Sequence, residues 1–186
     1  MNKRSGDSRK KGFSKNIRGQ VWVETVIYLL IAFVMMALVL SYIRPKIEEL
    51  RDKAIIEQSL EIVKSIDNLI ITIGSPGNKR LIEVGINKGS LIIDAPNDKI
   101  IFEMESNYMY TEPGKTVEIG KISAITEKIG TTNKITLTRD FGDEYNITYK
   151  GEETIKTLST ISASYNLFLT NEGESLNKIV IDFDTE

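Results

Sequence analysis

The chain reads as an α+β protein in which one long N-terminal α-helix carries an antiparallel β domain, built as a sheet or small sandwich. Three observations point to this class. Fifteen consecutive apolar or aromatic residues, Val26–Leu40, lie near the N-terminus. Apolar residues then recur at spacings of four and three from Ile55 to Ile73. From about Arg80 onward the pattern alternates with period two, with turn residues every eight to twelve positions. A length of 186 residues accommodates one ordinary domain plus such an extension.

Residues 1–19 are polar and basic, without periodicity, and read as a leader. Lys3, Arg4, Arg9, Lys10, Lys11, Lys15 and Arg18 against Asp7 give this segment a charge of +6, which leaves −8 on the rest of a chain whose total is −2. An acidic body lacks the phosphate-neutralising surface of a nucleic-acid binder, so no nucleic-acid partner is expected. A basic arm before an apolar run instead holds the N-terminus on the cytoplasmic side of a membrane. Residues 20–44 form the apolar segment. Its span from Val21 to Ile43 is interrupted only by Glu24, Thr25 and Ser41. As a helix it is about 35 Å long, enough to cross a hydrocarbon core of about 30 Å. No small-x-small cleavage site follows Leu40, so any cut falls before the span.

Residues 45–74 continue as an amphipathic helix. Ile55, Ser59, Ile62, Ile66, Leu69 and Ile73 define a stripe, widened on one side by Ile56, Leu60, Val63 and Ile70. Charged residues, among them Asp52 and Asp67, take much of the remaining surface. Pro45 removes a backbone donor and crowds the Ser41 carbonyl, which predicts a bend or a short melted stretch there. Gly74-Ser-Pro-Gly77 supplies the stop. From Gln20 to Ile73 the rod is about 80 Å long.

Residues 75–186 make the β domain. Expected strands are Leu81–Ile86, Ser90–Asp94, Lys99–Met104, Lys115–Ile119, Ile122–Glu127, Lys134–Arg139, Tyr145–Lys150, Ile161–Thr170 and Lys178–Phe183. Turns are expected at Ala95–Asp98, Pro113-Gly114, Phe141–Asp143, Gly151-Glu152 and Asn171–Gly173. The amphipathic stripe is expected to pack on this sheet.

The chain contains no Cys and no His. That excludes disulfides, thiol nucleophiles and imidazole chemistry, and removes the usual zinc ligands. No Ser, Lys or carboxylate spacing suggests catalysis, and no cofactor is expected. Gly85, Gly89 and Gly114 form no phosphate-cradling motif.

The junction Arg18-Gly19-Gln20-Val-Trp22-Val-Glu24-Thr25 carries the functional signal. It resembles the class III signal peptide of archaeal type IV pilins, which a prepilin peptidase removes. In that family a basic leader ends in Gly before the cut, and many mature archaeal chains begin with Gln and carry Glu at the fifth position. Here Arg18 and Gly19 precede the implied cut, Gln20 becomes the first mature residue and Glu24 the fifth. Trp22 stands where the euryarchaeal form often has Ser. The resemblance covers residues 1 to about 73. It implies a filament subunit held in the membrane before assembly and in an extracellular filament afterwards, with identical or related subunits as partners and adhesion as the role. Archaellins commonly lack the fifth-position Glu, and bacterial pilins usually begin with Phe.

Glu24 is costly wherever it sits in such a span. A carboxylate at the middle of a membrane helix costs about 2.5–3.5 kcal/mol, and less near the interface. The α-amino group that cleavage frees on Gln20 of a neighbouring subunit would offset that cost and set axial register. If Gln20 cyclises to pyroglutamate, the amine is lost and Glu24 requires a hydrogen bond instead, for instance from Thr25 of a neighbour. The competing reading is an uncleaved single-pass anchor presenting a β-domain binding module.

Asn146-Ile-Thr148 is an N-glycosylation sequon. Asp140, Asp143 and Glu144 gather around a turn without the EF-hand spacing, and Asp182, Asp184 and Glu186 gather at the C-terminus. Both groups read as solvated carboxylates, with no metal site assigned. Tyr108 and Tyr110 are expected on one face of a strand, packing there or serving as an adhesion contact.

Overall fold

In this structure, a computed structural model, residues 17–185 are described, with side chains described from Trp22 onward. One helix, α1 (Ile17–Thr72), is followed by ten strands. They are β1 (Lys79–Val84), β2 (Ser90–Asp94), β3 (Lys99–Ser106), β4 (Thr116–Ile119) and β5 (Ile122–Ile129), then β6 (Thr132–Asp140), β7 (Tyr145–Tyr149), β8 (Ile155–Ser159), β9 (Tyr165–Ser175) and β10 (Lys178–Thr185). The α+β class stands. The chain divides into two units between Pro45 and Lys46. No melted stretch occurs at Pro45, because the residues on both sides of it remain helical. Proline forfeits one backbone bond, and the strong helix formers that follow it sustain the remaining ladder.

In the first unit, every described side chain from Trp22 to Ile43 is exposed. In the second, the helical residues from Lys46 bury one side. The centre of that side is Ile56, Val63, Ile66 and Ile70, all nearly inaccessible. Ile62 and Leu69, expected within the stripe, lie at its half-buried margin. Asp52, expected among the solvated charges, is buried. It precedes Ile56 by four residues and Val63 by eleven, so it occupies the same helical face as the core residues. Each isoleucine fully removed from water contributes about 1.5–3 kcal/mol, which ties this half of the helix firmly to the strands.

The strands form two sheets. The four-stranded one has the order β1-β9-β10-β7 and the six-stranded one β4-β5-β6-β3-β2-β8. Leu91, Ile93, Ile100, Ile135 and Leu137 from the larger sheet join Ile147, Leu167, Leu169, Ile181 and Phe183 from the smaller in one core with the helix. The pairing is not wholly antiparallel: β10 runs parallel to β7. Between them the chain enters the six-stranded sheet as β8 and returns, and that excursion lets it come back in the same direction.

Several local expectations are corrected. β8 lies in a stretch read as loop, and its partner is β2. Ile161–Ser164, expected to open a strand, lies between β8 and β9. Asn171–Gly173, expected as a turn, is part of β9. Asn171 faces Ile181 and Gly173 faces Val180, which leaves Glu172 as the extra residue of a bulge. The turn itself is Leu176-Asn177, both with positive φ (53° and 66°). Tyr108 and Tyr110 lie beyond the end of β3, outside any strand.

The helix ends where expected. Gly74 adopts a left-handed φ of 79°. The Asn78 side-chain amide donates to the Ile73 carbonyl at 2.9 Å, and the buried Asn171 amide donates to Gly74 O at 2.6 Å. The Asn171 side chain thus caps the helix terminus with its amide, while its oxygen accepts from the Gly173 N–H at 2.8 Å within the bulge.

Candidate functional site

The first unit presents a helix surface that is apolar on all sides. Among the described residues α1 is the one helix long and apolar enough to cross a membrane. Its exposed large side chains include Trp22, Ile27, Leu30, Phe33, Val34 and Met36. A helix of this kind is stable in lipid or against other apolar helices, not in water.

Glu24 interrupts this surface. The helix places Tyr28 one turn further on, and its hydroxyl donates to Glu24 Oε1 at 3.1 Å. Trp22 is exposed two residues before Glu24, and Thr25 follows it on the helix surface. The implied processing residues Arg18, Gly19 and Gln20 lie outside the residues whose side chains are described, as does the whole 1–19 leader. The structure therefore brings Glu24 together with Tyr28, a residue that the reading of the junction passed over. A signal for it was present: Tyr28 is the one residue of Val26–Leu40 with a hydrogen-bonding side chain, and it falls four residues after Glu24.

The second unit holds two buried ionic contacts between the helix and the six-stranded sheet region. Asp52 accepts from Lys88 Nζ at 2.6 Å, Ser106 Oγ at 3.0 Å and the Asn107 backbone N–H at 2.8 Å. Burial alone would raise its pKa. The bonds from Lys88, Asn107 and Ser106 outweigh that and hold the carboxyl below its ordinary value of 3.8. Glu48, Arg51 and Asn87 border the same cleft, of about 290 Å³. Further along the helix, Arg139 on β6 donates from Nε to Asp67 Oδ1 at 2.7 Å. The guanidinium also donates to the Asp140 carbonyl and lies 4.2 Å from the centre of the Phe141 ring.

Most of the remaining candidate residues have structural partners, and Glu186 lies outside the described residues. Asp140 pairs with Lys99 and accepts from Gly142 N–H, while Glu144 pairs with Lys121. Burial pushes Asp140 up, but the Gly142 and Lys99 bonds prevail and lower it. Among the described residues no three acidic side chains converge as metal ligands. Asp182 accepts from Thr148 Oγ1 and Gly151 N–H, and the bond from Lys150 lowers Asp184. The sequon residue Asn146 is half-buried on β7 opposite Val180, and the Thr148 hydroxyl is engaged by Asp182. Tyr108 and Tyr110 pack against the core, with Met109 exposed between them. Burial raises the Tyr110 phenol, with Glu57 adding to the effect.

No family model, curated protein or solved structure matches this chain.

Proposed function

We propose that the chain is the precursor of a type IV pilin-like filament subunit of archaeal type, structural and not catalytic. A prepilin peptidase removes the leader after Gly19, and the subunit waits in the membrane with its β domain outside. It then moves from lipid into a helical bundle of copies, which becomes an extracellular filament serving adhesion or surface attachment. The observation that carries this reading is a fully exposed apolar helix interrupted by one carboxylate, Glu24, five residues after Gly19. An anchor alone has no use for that carboxylate. A bundle does, because the amine freed on Gln20 of a neighbour neutralises it and fixes the axial step between subunits. Contacts between unlike surfaces of identical copies propagate without closing, and so build a filament.

The test is co-expression with a prepilin peptidase, followed by mass determination of the N-terminus and microscopy of the cell surface. Processing between Gly19 and Gln20 is expected, together with filaments. Glu24→Gln should leave cleavage intact and cut filament yield sharply. An N-terminus at Met1 would overturn the reading in favour of an uncleaved, membrane-anchored β module.

A further inference from the structure

Within Val26–Leu40 only Tyr28 has a side chain able to donate a hydrogen bond, and its hydroxyl reaches Glu24 Oε1 at 3.1 Å. We propose that Tyr28 is the positioning residue for Glu24: it holds the carboxyl group on the unassembled subunit and leaves the second oxygen for the group that an arriving copy presents. The identity of that group as the Gln20 amine rests on the filament reading above; the contact between Tyr28 and Glu24 does not.

The chemistry of the helix surface supports this role. Backbone donors next to Glu24 are committed to the helix ladder, so a bond to its carboxyl group comes from a side chain, and Tyr28 one turn further on supplies it. An ionised carboxylate has about four acceptor positions on two oxygens. Tyr28 bonds Oε1, one of the two oxygens, and Glu24 itself lies on the exposed helix surface. The bond also restricts the flexible glutamate side chain, which otherwise samples several rotamers at each torsion. The carboxyl group is thereby aimed along the helix toward Tyr28 before any partner arrives, which lowers the ordering cost of the docking step. A tyrosine suits the place: its ring is stable among apolar neighbours, and its hydroxyl serves the polar group at the edge of the span.

Tyr28→Phe keeps the ring and removes only the donor. With the full chain in lipid vesicles, the infrared bands of the Glu24 carboxyl group are isolated as the difference between the parent and Glu24→Gln. The same difference is then taken in the Tyr28→Phe background. The bands are expected to shift to the position of a carboxyl group without a hydroxyl donor. In cells, Tyr28→Phe is expected to lower filament yield by about tenfold, the effect of one hydrogen bond to a charged group. It should produce no further loss when added to Glu24→Gln. Unchanged carboxyl bands overturn the proposal, and so does an equal loss of filaments in both backgrounds, which would mark Tyr28 as a packing residue. If the bands shift but the parent makes no filaments, the contact stands and the filament reading is what fails.

Discussion

Replacing Asp52 with alanine tests the buried contact at the start of the amphipathic half. The substitution strands one buried donor, the Ser106 hydroxyl, whose residue is 1 % exposed. The Asn107 backbone N–H belongs to an exposed residue and turns to water. A buried donor left without a partner costs about 1–3 kcal/mol. Lys88 likewise returns to water, because its side chain is 40 % exposed, so its share is at most about 1 kcal/mol. Asp52→Ala should therefore cost about 2 kcal/mol, and Lys88→Met less. At about 3 °C per kcal/mol for a domain of this size, the melting temperature falls by about 6 °C. The assay is thermal unfolding of the full chain in detergent, followed by near-ultraviolet circular dichroism of the tyrosines. Five of the seven lie between Tyr108 and Tyr165, whereas the single tryptophan, Trp22, lies in the apolar half and does not report on the β domain. Acid supplies a second reading. The folded Asp52 carboxyl titrates below its ordinary value of 3.8, so its contribution is present above about pH 4 and is lost as the pH falls through the folded value. The gap between parent and variant should accordingly narrow in acid. A variant within about 0.5 kcal/mol of the parent at pH 7, the range of an ordinary surface change, would refute the reasoning.

Two glycine and turn substitutions probe the β domain. At Gly89, with φ of 88°, a Cβ would stand 2.3 Å from the Glu103 carbonyl oxygen, whereas at Gly120, with φ of 67°, nothing lies within 4 Å. Gly120→Ala should cost only the conformational penalty of about 1–2 kcal/mol, and Gly89→Ala at least twice that, as measured by denaturant midpoints. Leu176 occupies the first position of the β9–β10 turn with positive φ while almost wholly exposed, so Leu176→Asn combined with Asn177→Gly should stabilise the domain by about 1 kcal/mol in the same assay.

The long periodic elements were legible because each shows its environment in its own spacing. Ile56, Val63, Ile66 and Ile70 recur at helical intervals, and the alternation in Leu91, Ile93 and in Ile100, Phe102, Met104 marks buried strand faces. The failures come where a residue's partner is distant in the chain. Asn171 carries turn chemistry, yet Gly74 and Ile181 decide its conformation. The true hairpin turn contains no glycine, so the usual marker is absent. β8 buries only Leu158, too little for an alternating signal. The parallel pairing of β7 with β10 joins strands about thirty residues apart, and local pattern has no access to it. At the junction, the importance of Glu24 was readable from its cost in an apolar run. The ionic contacts of Asp52 and Asp67 were hidden, because a carboxylate on a helix looks solvated until its partner strand is known.

The positions of those two contacts have a mechanical consequence. Asp52 and Asp67 are fifteen residues apart, about 22 Å along a helix, and each is fastened to residues of the β domain: Asp52 to Lys88 and Ser106, Asp67 to Arg139. Tension along the helix axis in this unit therefore acts on two separated fastenings in shear, with the buried isoleucines between them sharing the load. Peeling from one end would meet the contacts in sequence, a weaker mode. A lengthwise pull on the amphipathic half would thus be resisted by helix and sheets as one piece.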